Sequence, residues 1–308
     1  MDNIVIIGCG YLGSHLANYF NDKNWGVKIL GRKSIYTSKL NPGIQFVEVD
    51  INIIEEFREE IREGDIILYA AGSTNATNLF SDVLGDVQHY YVSFINLINV
   101  CYEKKIKKFV FLSSAGTVYK NFGLSSKEDD CLEPTNIYGL QKMYFENLIK
   151  IKHMESSNFP YLILRVTNPY GGFQNPHKKQ GIIPVLINKA LDEEEFIFWG
   201  DTQAVRDFIF INDFLEATYD SVKLLEQEII NIGSGQASTI SDVISLVEKR
   251  TERKINIVYK RAGTKTIMKN MIDISKLNKL TGFVPSTSLE EGIVNAIHQN
   301  LQIRNKSI

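Results

Sequence analysis

Short apolar runs alternate with amphipathic segments through the first half of the chain. The runs are four to six residues long and mostly β-branched or aromatic, which is typical of strands buried on both faces. They lie at 4–7, 27–30, 44–49, 66–70, 109–112 and 161–164. Segments of helical periodicity lie between them, at 11–21, 53–61, 87–101 and 136–151. Elements that alternate in this order predict an α/β fold: a doubly wound parallel (Rossmann) sheet with helices on both faces.

The pattern changes after residue 165. Proline and glycine cluster between 168 and 176, a helix is predicted over 181–191, and shorter strands are predicted near Phe196, Phe208 and Ile230. We therefore predict a doubly wound domain over residues 1–165 and a smaller mixed α/β lobe over residues 166–308. Some elements of 205–235 are expected to return to the first sheet.

Composition excludes several classes of partner. The 308 residues include 34 Lys and Arg against 36 Asp and Glu, so the chain has no excess of positive charge for binding nucleic acid. No apolar stretch approaches the length of a membrane span, and the apolar run at the amino terminus stops at Gly8, so we predict a cytoplasmic protein without a membrane partner. The three cysteines are widely spaced and predict neither a disulfide framework nor a metal site.

A glycine-rich loop directly follows the first predicted strand and opens the first predicted helix. It reads GCGYLG over residues 8–13. The first glycine permits a tight turn, the second lets backbone N–H groups approach a pyrophosphate, and the third lets helix and strand pack closely. In this context the loop indicates a dinucleotide-binding domain, with a turn that binds no ligand as the alternative. The predicted contacts are Gly8, Gly10, Tyr11, Leu12 and Gly13.

Residues after the second and third strands bear on which dinucleotide binds. An NAD site places an acidic residue about 20 residues beyond the loop, on the ribose 2′-hydroxyl, whereas this chain has Arg32 and Lys33 there. Two cations suit a 2′-phosphate, so the sequence favours NADP(H) over NAD, the alternative being that both are solvated. Asp50, followed by Ile51, is placed either to bind the adenine amino group or to cap the next helix, a role for which Asn52 competes.

A phenol and an ammonium lie four residues apart on the helix that follows the fifth strand. Tyr138 and Lys142 share one helix face, where the cation lowers the pKa of the phenol and makes it a general acid/base for a carbinol proton. The carboxyl end of the fifth strand carries two candidate hydroxyls, Ser114 and Thr117, that can converge on the same substrate oxygen. The sequence leaves the choice between these two hydroxyls open.

The spacing of tyrosine and lysine is not sufficient evidence by itself. It also occurs at Tyr19/Lys23 and at Tyr219/Lys223. The first of these pairs lies on the helix of the glycine loop and the second on a late amphipathic helix, so both are predicted to be packing residues. Position after the fifth strand therefore distinguishes Tyr138.

Together these motifs resemble the extended short-chain dehydrogenases/reductases, and among them the nucleotide-sugar epimerase/dehydratase family. The similarity extends from Ile4 to about Ile297, through further ordered segments at 70–72, 164–171, 200–213, 231–235, 273–276 and 288–292. The resemblance implies an NAD(P)-dependent enzyme. It adds three cofactor contacts: Ala70, Ala71 and Gly72.

The resemblance also implies that the second lobe binds a nucleoside diphosphate sugar. Asn168 would hydrogen-bond the diphosphate, Arg206 would pair with it, and Arg261 would be a second anion partner. Guanidinium groups suit a diphosphate, although Arg206 beside Asp207 could instead form an internal ion pair. Family members pair through the helices that correspond to 87–101 and 136–151, which implies a homodimer.

Three functional hypotheses follow. The dehydratases of this family carry Asp-Glu after the active hydroxyl, where this chain has Ala115-Gly116-Thr117, so dehydration is disfavoured. The leading hypothesis is a 4-epimerase of a UDP-hexose, in which Tyr138 takes the C4 hydroxyl proton while hydride passes to the cofactor and returns to the opposite face. The alternatives are an NADPH-dependent 4-ketosugar reductase of deoxysugar and polysaccharide biosynthesis, and a non-catalytic dinucleotide-sensing protein.

Overall fold

The computed structural model describes residues 2–72, 87–120, 125–156, 159–174, 181–260 and 268–305. In these ranges the strands are β1 (Asn3–Ile7), β2 (Gly26–Gly31), β3 (Gln45–Glu48), β4 (Ile66–Tyr69), β5 (Lys108–Ser114), β6 (Tyr161–Val166), β7 (Asn168–Tyr170), β8 (Phe196–Trp199), β9 (Val205–Phe210), β10 (Glu228–Ile232), β11 (Ala237–Thr239), β12 (Ile257–Lys260) and β13 (Lys269–Asn270). The α-helices are α1 (Tyr11–Asp22), α2 (Ile54–Phe57), α3 (Ser93–Glu103), α4 (Ala115–Val118), α5 (Ile137–Ser156), α6 (Ile182–Asp192), α7 (Ile211–Leu224), α8 (Ile240–Thr251), α9 (Ser275–Thr281) and α10 (Leu289–Asn305).

Seven strands form one sheet in the order β10-β6-β5-β4-β1-β2-β3. β1 pairs in parallel with both β2 and β4, β2 with β3, and β4 with β5. The strand order reverses between β1 and β4, and open α/β sheets bind ligands outside the carboxyl ends of the strands at such a point. The predicted doubly wound fold is confirmed, and β10 adds an edge strand from late in the chain.

Apolar packing fixes the helix that carries Tyr138. Phe94 of α3 stacks on Phe145 of α5, with ring centroids 3.9 Å apart, and both rings are buried against Phe111 of β5. Full burial of each such side chain contributes about 1.5–3 kcal/mol. The position of α5 on the sheet is therefore determined by the core.

Two predicted helices differ from the observed elements. The segment predicted at 53–61 forms the single-turn helix α2 followed by a 3₁₀ turn at Arg58–Glu60. The segment predicted at 87–101 begins as a π-helix, Val87–Val92, and becomes α-helical only in α3. Hydrophobic periodicity alone does not distinguish these forms.

The described residues cluster into two compact units, each assembled from segments that are distant in sequence. The first unit comprises 1–118, 132–165 and 219–230, and the second comprises 119–131, 166–218 and 231–308. The second unit contains two smaller sheets. In one, β9 pairs with β7 and β13 in parallel and with β11 in antiparallel; in the other, β8 pairs with β12. A smaller mixed α/β lobe is therefore present, as the sequence predicted. It differs from the predicted range 166–308 because it also contains 119–131 and because 219–230 belongs to the first unit.

Candidate active site

The glycine loop between β1 and α1 fits a dinucleotide pyrophosphate. Gly8 has a φ of +110°, and a Cβ there would lie 2.8 Å from the backbone N of Ala71. A Cβ on Gly13 would lie 2.0 Å from the Gly8 carbonyl oxygen, so this glycine is required for α1 to pack on β1. A Cβ on Gly10, the N-cap of α1, would meet nothing within 4 Å. The space beside Gly10, at a helix amino terminus, suits a phosphate.

These contacts predict opposite behaviour for two alanine variants. Gly13→Ala is expected to lower the melting temperature, because its Cβ overlaps the Gly8 carbonyl. Gly10→Ala is expected to leave the melting temperature within about 2 °C and to weaken dinucleotide binding about tenfold, because its Cβ enters only the open space where the pyrophosphate would lie. Thermal unfolding and calorimetric titration with NAD measure both effects. Equal dinucleotide affinity in Gly10→Ala and the parent chain would contradict the assignment.

The remaining predicted cofactor residues surround this loop in the first unit. Tyr11 and Leu12 begin α1, and Ala70, Ala71 and Gly72 follow β4 directly. The amide of Ala70 donates to the Ile7 carbonyl, which places the two strand ends side by side. A Cβ on Gly72 would lie 3.8 Å from Nζ of Lys142, so this segment also reaches the predicted catalytic lysine.

The cations after β2 and the acid after β3 make different contacts. Arg32 is exposed, whereas Nζ of Lys33 pairs with the Glu48 carboxylate at 2.9 Å. Oδ1 of Asp50 accepts hydrogen bonds from the backbone and side-chain nitrogens of Asn52. Neither Asp50 nor Asn52 caps α2, whose N-cap is residue 53 and has no side-chain bond, so the helix-cap alternative is wrong. Ile51 lies half-buried in the same turn.

Ser114, Tyr138 and Lys142 come together at the carboxyl end of β5. The Ser114 hydroxyl and the Tyr138 phenol share a hydrogen bond. Nζ of Lys142 lies 5.6 Å from the centroid of the Tyr138 ring and donates to the Leu112 carbonyl at 2.8 Å. This is the convergence of hydroxyl, phenol and ammonium that the sequence predicted for the fifth strand and the following helix.

Local structure brings α5 close to this strand end. Oδ1 of Asn136 accepts from the Gly139 amide at 2.8 Å, which caps the helix just before Tyr138. A Cβ on Gly139 would lie 2.3 Å from the Thr117 carbonyl oxygen, so only glycine allows this approach of α5 to α4. Oγ1 of Thr117 is buried and has no hydrogen-bond partner among the residues that the structure describes. The geometry therefore brings Ser114, and not Thr117, into contact with the phenol.

Burial disfavours the charged forms of Tyr138 and Lys142 and shifts the pKa of each group accordingly. It raises the pKa of Tyr138 to about 12, although the Ser114 hydrogen bond acts in the opposite direction. It lowers the pKa of Lys142 to about 8, against the carboxylate of Glu146. The phenol therefore needs further positive charge to act as a base near neutral pH, and an oxidised nicotinamide would supply it.

The other two tyrosine and lysine pairs form a packing cluster far from β5 in sequence. The rings of Tyr19 and Tyr219 lie 5.8 Å apart, edge to face, and Tyr219 also packs against Trp25 and Phe20. Nζ of Lys23 lies over both tyrosine rings. This arrangement agrees with the prediction that both pairs are packing residues.

A pocket of about 300 Å³ lies in the second unit. Asn168 and Arg206 line it together with the aromatic side chains of Phe198 and Trp199, and Trp199 is 61% exposed. Nδ2 of Asn168 donates one hydrogen bond to the Asp207 carbonyl, and Nη1 of Arg206 donates to the Val205 carbonyl. Sequence reasoning placed Asn168 and Arg206 here but missed the two aromatic residues, whose run at 196–199 indicated only a strand.

Arg206 has no carboxylate partner among the described residues. The adjacent Asp207 is fully buried, and its carboxylate accepts from the Thr167 hydroxyl and from the backbone amides of Ser234 and Gly235. Burial raises the pKa of Asp207 to about 6 against these donors. The internal ion pair between Arg206 and Asp207 is therefore not formed, and burial lowers the pKa of the Arg206 guanidinium. Arg261, the second predicted anion partner, lies outside the described residues.

A half-buried guanidinium that lines a pocket has the chemistry to bind an anion. Asp201 also lines this pocket, but its carboxylate accepts from the Gln203 amide at 2.8 Å.

The described residues contain no cluster of three or more His, Cys, Asp or Glu side chains placed to bind a metal. In the same ranges, no helix combines the length and apolar character that a membrane crossing requires.

Comparison with known proteins identifies the family. The model of the NAD dependent epimerase/dehydratase family matches residues 4–233. The chain belongs to this family. It is therefore an enzyme of the extended short-chain dehydrogenase/reductase type, as the sequence motifs predicted. The family description names NAD, and the predicted preference for NADP(H) gains no support from the comparisons.

Members of the family with different reactions are similar to this chain. It is 28% identical over 300 residues to a putative UDP-glucose 4-epimerase of Methanocaldococcus jannaschii, covering 96% of this chain and 97% of that protein. It is 32% identical over 217 residues to the dTDP-4-dehydro-6-deoxyglucose reductase of Escherichia coli, covering 70% and 67%. The UDP-glucose 4-epimerase of Thermotoga maritima, solved with UDP-glucose, shares the fold with a TM-score of 0.91 and 24% identity, covering 98% and 99%.

Proposed function

We propose that this protein is a nucleotide-sugar 4-epimerase that acts on a UDP-hexose. The observation that carries the proposal is the contact of Ser114 with Tyr138 beside Lys142. The turn that follows Ser114 holds Ala115 and Gly116, where the dehydratases carry carboxylates, so this chain has acid/base groups for a carbinol but none there for eliminating water. The near full-length similarity to the putative epimerase of M. jannaschii supports the same reaction.

In this mechanism each residue has a defined role. Oη of Tyr138 takes the proton of the sugar C4 hydroxyl and later returns it, while Oγ of Ser114 donates a hydrogen bond to the same oxygen. The glycine loop between β1 and α1 would hold the dinucleotide, which would supply reversible hydride chemistry at the sugar C4. Lys142 keeps positive charge beside the phenol, and the Arg206 guanidinium binds the diphosphate in the second unit.

The reaction can be tested without added cofactor, because an epimerase recycles its own dinucleotide. The purified protein is expected to convert UDP-galactose to UDP-glucose, or UDP-N-acetylgalactosamine to its 4-epimer, as followed by chromatography of the nucleotide sugars. The control is the Tyr138→Phe variant under the same conditions. Absence of product across a panel of nucleotide sugars would contradict the epimerase assignment.

A 4-ketosugar reductase is the second candidate, and the 32% identity to the E. coli reductase favours it. A reductase consumes reduced cofactor in proportion to product, whereas an epimerase does not. Stoichiometric oxidation of NADPH with a dTDP-4-keto-6-deoxysugar would therefore contradict the epimerase proposal and support the reductase. Turnover of UDP-hexoses without net change in absorbance at the NADH band would contradict the reductase.

We infer that the dinucleotide is NAD. Lys33 is neutralised by Glu48, and the Glu48 carboxylate would repel a 2′-phosphate close to that ion pair. Of the two cations predicted after β2, only Arg32 is then left to bind a 2′-phosphate. Mass spectrometry of the dinucleotide that is released on denaturation tests this inference, and NADP as the released species would overturn it.

We also propose a homodimer formed through α3 and α5. Each of these regions exposes apolar side chains at helical spacing: Val92, Ile95 and Tyr102 on one, and Leu140, Tyr144 and Ile151 on the other. Ile151→Asp combined with Tyr102→Asp is expected to halve the mass measured by light scattering, because charges would be buried in the interface. Val284→Asp, at a 64% exposed position in the second unit, is the control. A parent chain that is monomeric would refute the proposal.

A further inference from the structure

An ion pair is buried in the first unit one helical turn beyond Lys142. Glu146 of α5 is 0% exposed and Arg165 of β6 is 2% exposed. Nη2 of Arg165 donates to Oε2 of Glu146 at 2.8 Å, and Nε donates to Oε1 at 3.1 Å. The Ser113 hydroxyl donates to the same Oε1 at 2.5 Å. A buried pair of this kind contributes little net stability, because desolvation offsets much of the attraction.

The contacts of this pair continue those of the catalytic residues. Three consecutive residues of β5 each bond a different residue of α5: the Leu112 carbonyl accepts from Lys142, the Ser113 hydroxyl donates to Glu146, and Ser114 bonds Tyr138. The three partners are spaced by four residues and therefore share one helix face. Glu146 thus makes the last of three polar contacts between one face of α5 and the end of β5.

We propose that Glu146, held by Arg165 and Ser113, is a positioning residue that keeps Lys142 charged and in register with Tyr138. The inference rests on the proposed function, because it assigns to Glu146 an effect on the two residues that act in that reaction. Glu146 touches neither substrate nor cofactor in this assignment and acts only through Lys142 and the strand β5.

The surroundings of Lys142 explain why a carboxylate is needed there. Its ammonium lies 4.7 Å from the centroid of the Phe111 ring and 5.6 Å from that of Tyr138, and its hydrogen bond to Leu112 is to a neutral carbonyl. Burial lowers the pKa of Lys142 to about 8, and the Glu146 carboxylate acts against this shift. Arg165 faces Glu146 from β6 and holds its carboxylate in place, with like charge to Lys142. Removing the negative charge therefore removes the interaction that opposes the effect of burial on the pKa of Lys142.

The test is the titration of Lys142 in the full-length protein without substrate. It is followed by NMR with isotope label at lysine Cε, with Lys142→Met to identify the resonance. Glu146→Gln is expected to lower the pKa of Lys142 by about 1 unit, because it removes a nearby opposite charge with little change of shape. Glu146→Asp keeps the charge and is expected to stay within about 0.5 unit of the parent value. An unchanged Lys142 titration in Glu146→Gln, or equal shifts in the two variants, would overturn the proposal.

Ser113→Ala tests separately whether Glu146 helps to position α5 on β5. This variant decides the proposal if Glu146→Gln does not fold. It removes one hydrogen bond to Glu146 and no charge, so kcat is expected to fall about tenfold with KM for the sugar nucleotide unchanged. An unchanged kcat in this variant would refute the positioning role. If the parent chain epimerises nothing, the proposed function fails, but the NMR titration still decides whether Glu146 maintains the charge of Lys142.

Discussion

Replacing Tyr138 by phenylalanine is expected to lower kcat about 10³-fold, within the range typical of losing a general acid/base. The phenol is the group in contact with Ser114 that can exchange a proton with the C4 oxygen, and phenylalanine retains the ring that packs beside Lys142. Loss of the hydroxyl and its one hydrogen bond is expected to cost only about 1 kcal/mol of stability. Affinity for UDP should stay within about twofold of the parent value, because the pocket that we propose for the nucleotide belongs to the second unit.

Tyr219→Phe is the matched control for this experiment. Tyr219 also precedes a lysine by four residues, but its ring packs against Tyr19 and Trp25. It is expected to keep full activity, so that the comparison separates the chemical role of a phenol from the sequence spacing. A Tyr138→Phe enzyme that retained more than about a tenth of the parent kcat would contradict the acid/base assignment. A cellular role that survived this substitution would instead favour the non-catalytic sensor.

The strands were predictable because a parallel sheet that is covered on both faces needs continuous apolar runs. Ile4 to Ile7, for example, are at most 2% exposed, and such a run has few alternatives to a central strand. The π-helix at Val87–Val92 was not predictable, since its hydrogen-bond pattern leaves the hydrophobic periodicity of the following helix almost unchanged. The one-turn α2 was missed because a periodic apolar pattern does not distinguish an α-helical turn followed by a 3₁₀ turn from a longer α-helix.

The candidate site shows the same division between local and tertiary information. The glycine loop was predictable because its backbone requirements are met by residues adjacent in sequence. The choice between Ser114 and Thr117 was not, because it depends on the close approach of Gly139 to the Thr117 carbonyl. The role of Arg165 was missed, although a charge within the apolar run of β6 was a detectable sign that a buried partner exists.

Replacing Arg206 by methionine is expected to have opposite effects on the free protein and on its nucleotide complex. Arginine stays protonated when buried, and this guanidinium lines the pocket of the second unit without a carboxylate partner among the described residues. The hydrogen bond of its Nη1 to the Val205 carbonyl offsets only part of its desolvation in the free protein, so methionine should raise the free energy of unfolding by about 1 kcal/mol. The same change removes the charge-assisted contact that we propose to the diphosphate and should raise the Kd for UDP about 100-fold.

Calorimetric titration with UDP and thermal unfolding with and without UDP measure both effects. Arg250→Met is the matched control, because Arg250 lies in the same unit but is exposed and already paired with Glu290 at 2.5 Å; it should leave UDP affinity unchanged. A structural role for Arg206 predicts the opposite sign in the free protein, namely a lower melting temperature in Arg206→Met. Gain of stability together with loss of UDP binding would therefore identify this cation as a residue kept for its ligand, since its hydrogen bond to the neutral Val205 carbonyl offsets only part of the cost of burying the charge. Unchanged UDP affinity in Arg206→Met would show that Arg206 does not bind the diphosphate in this pocket.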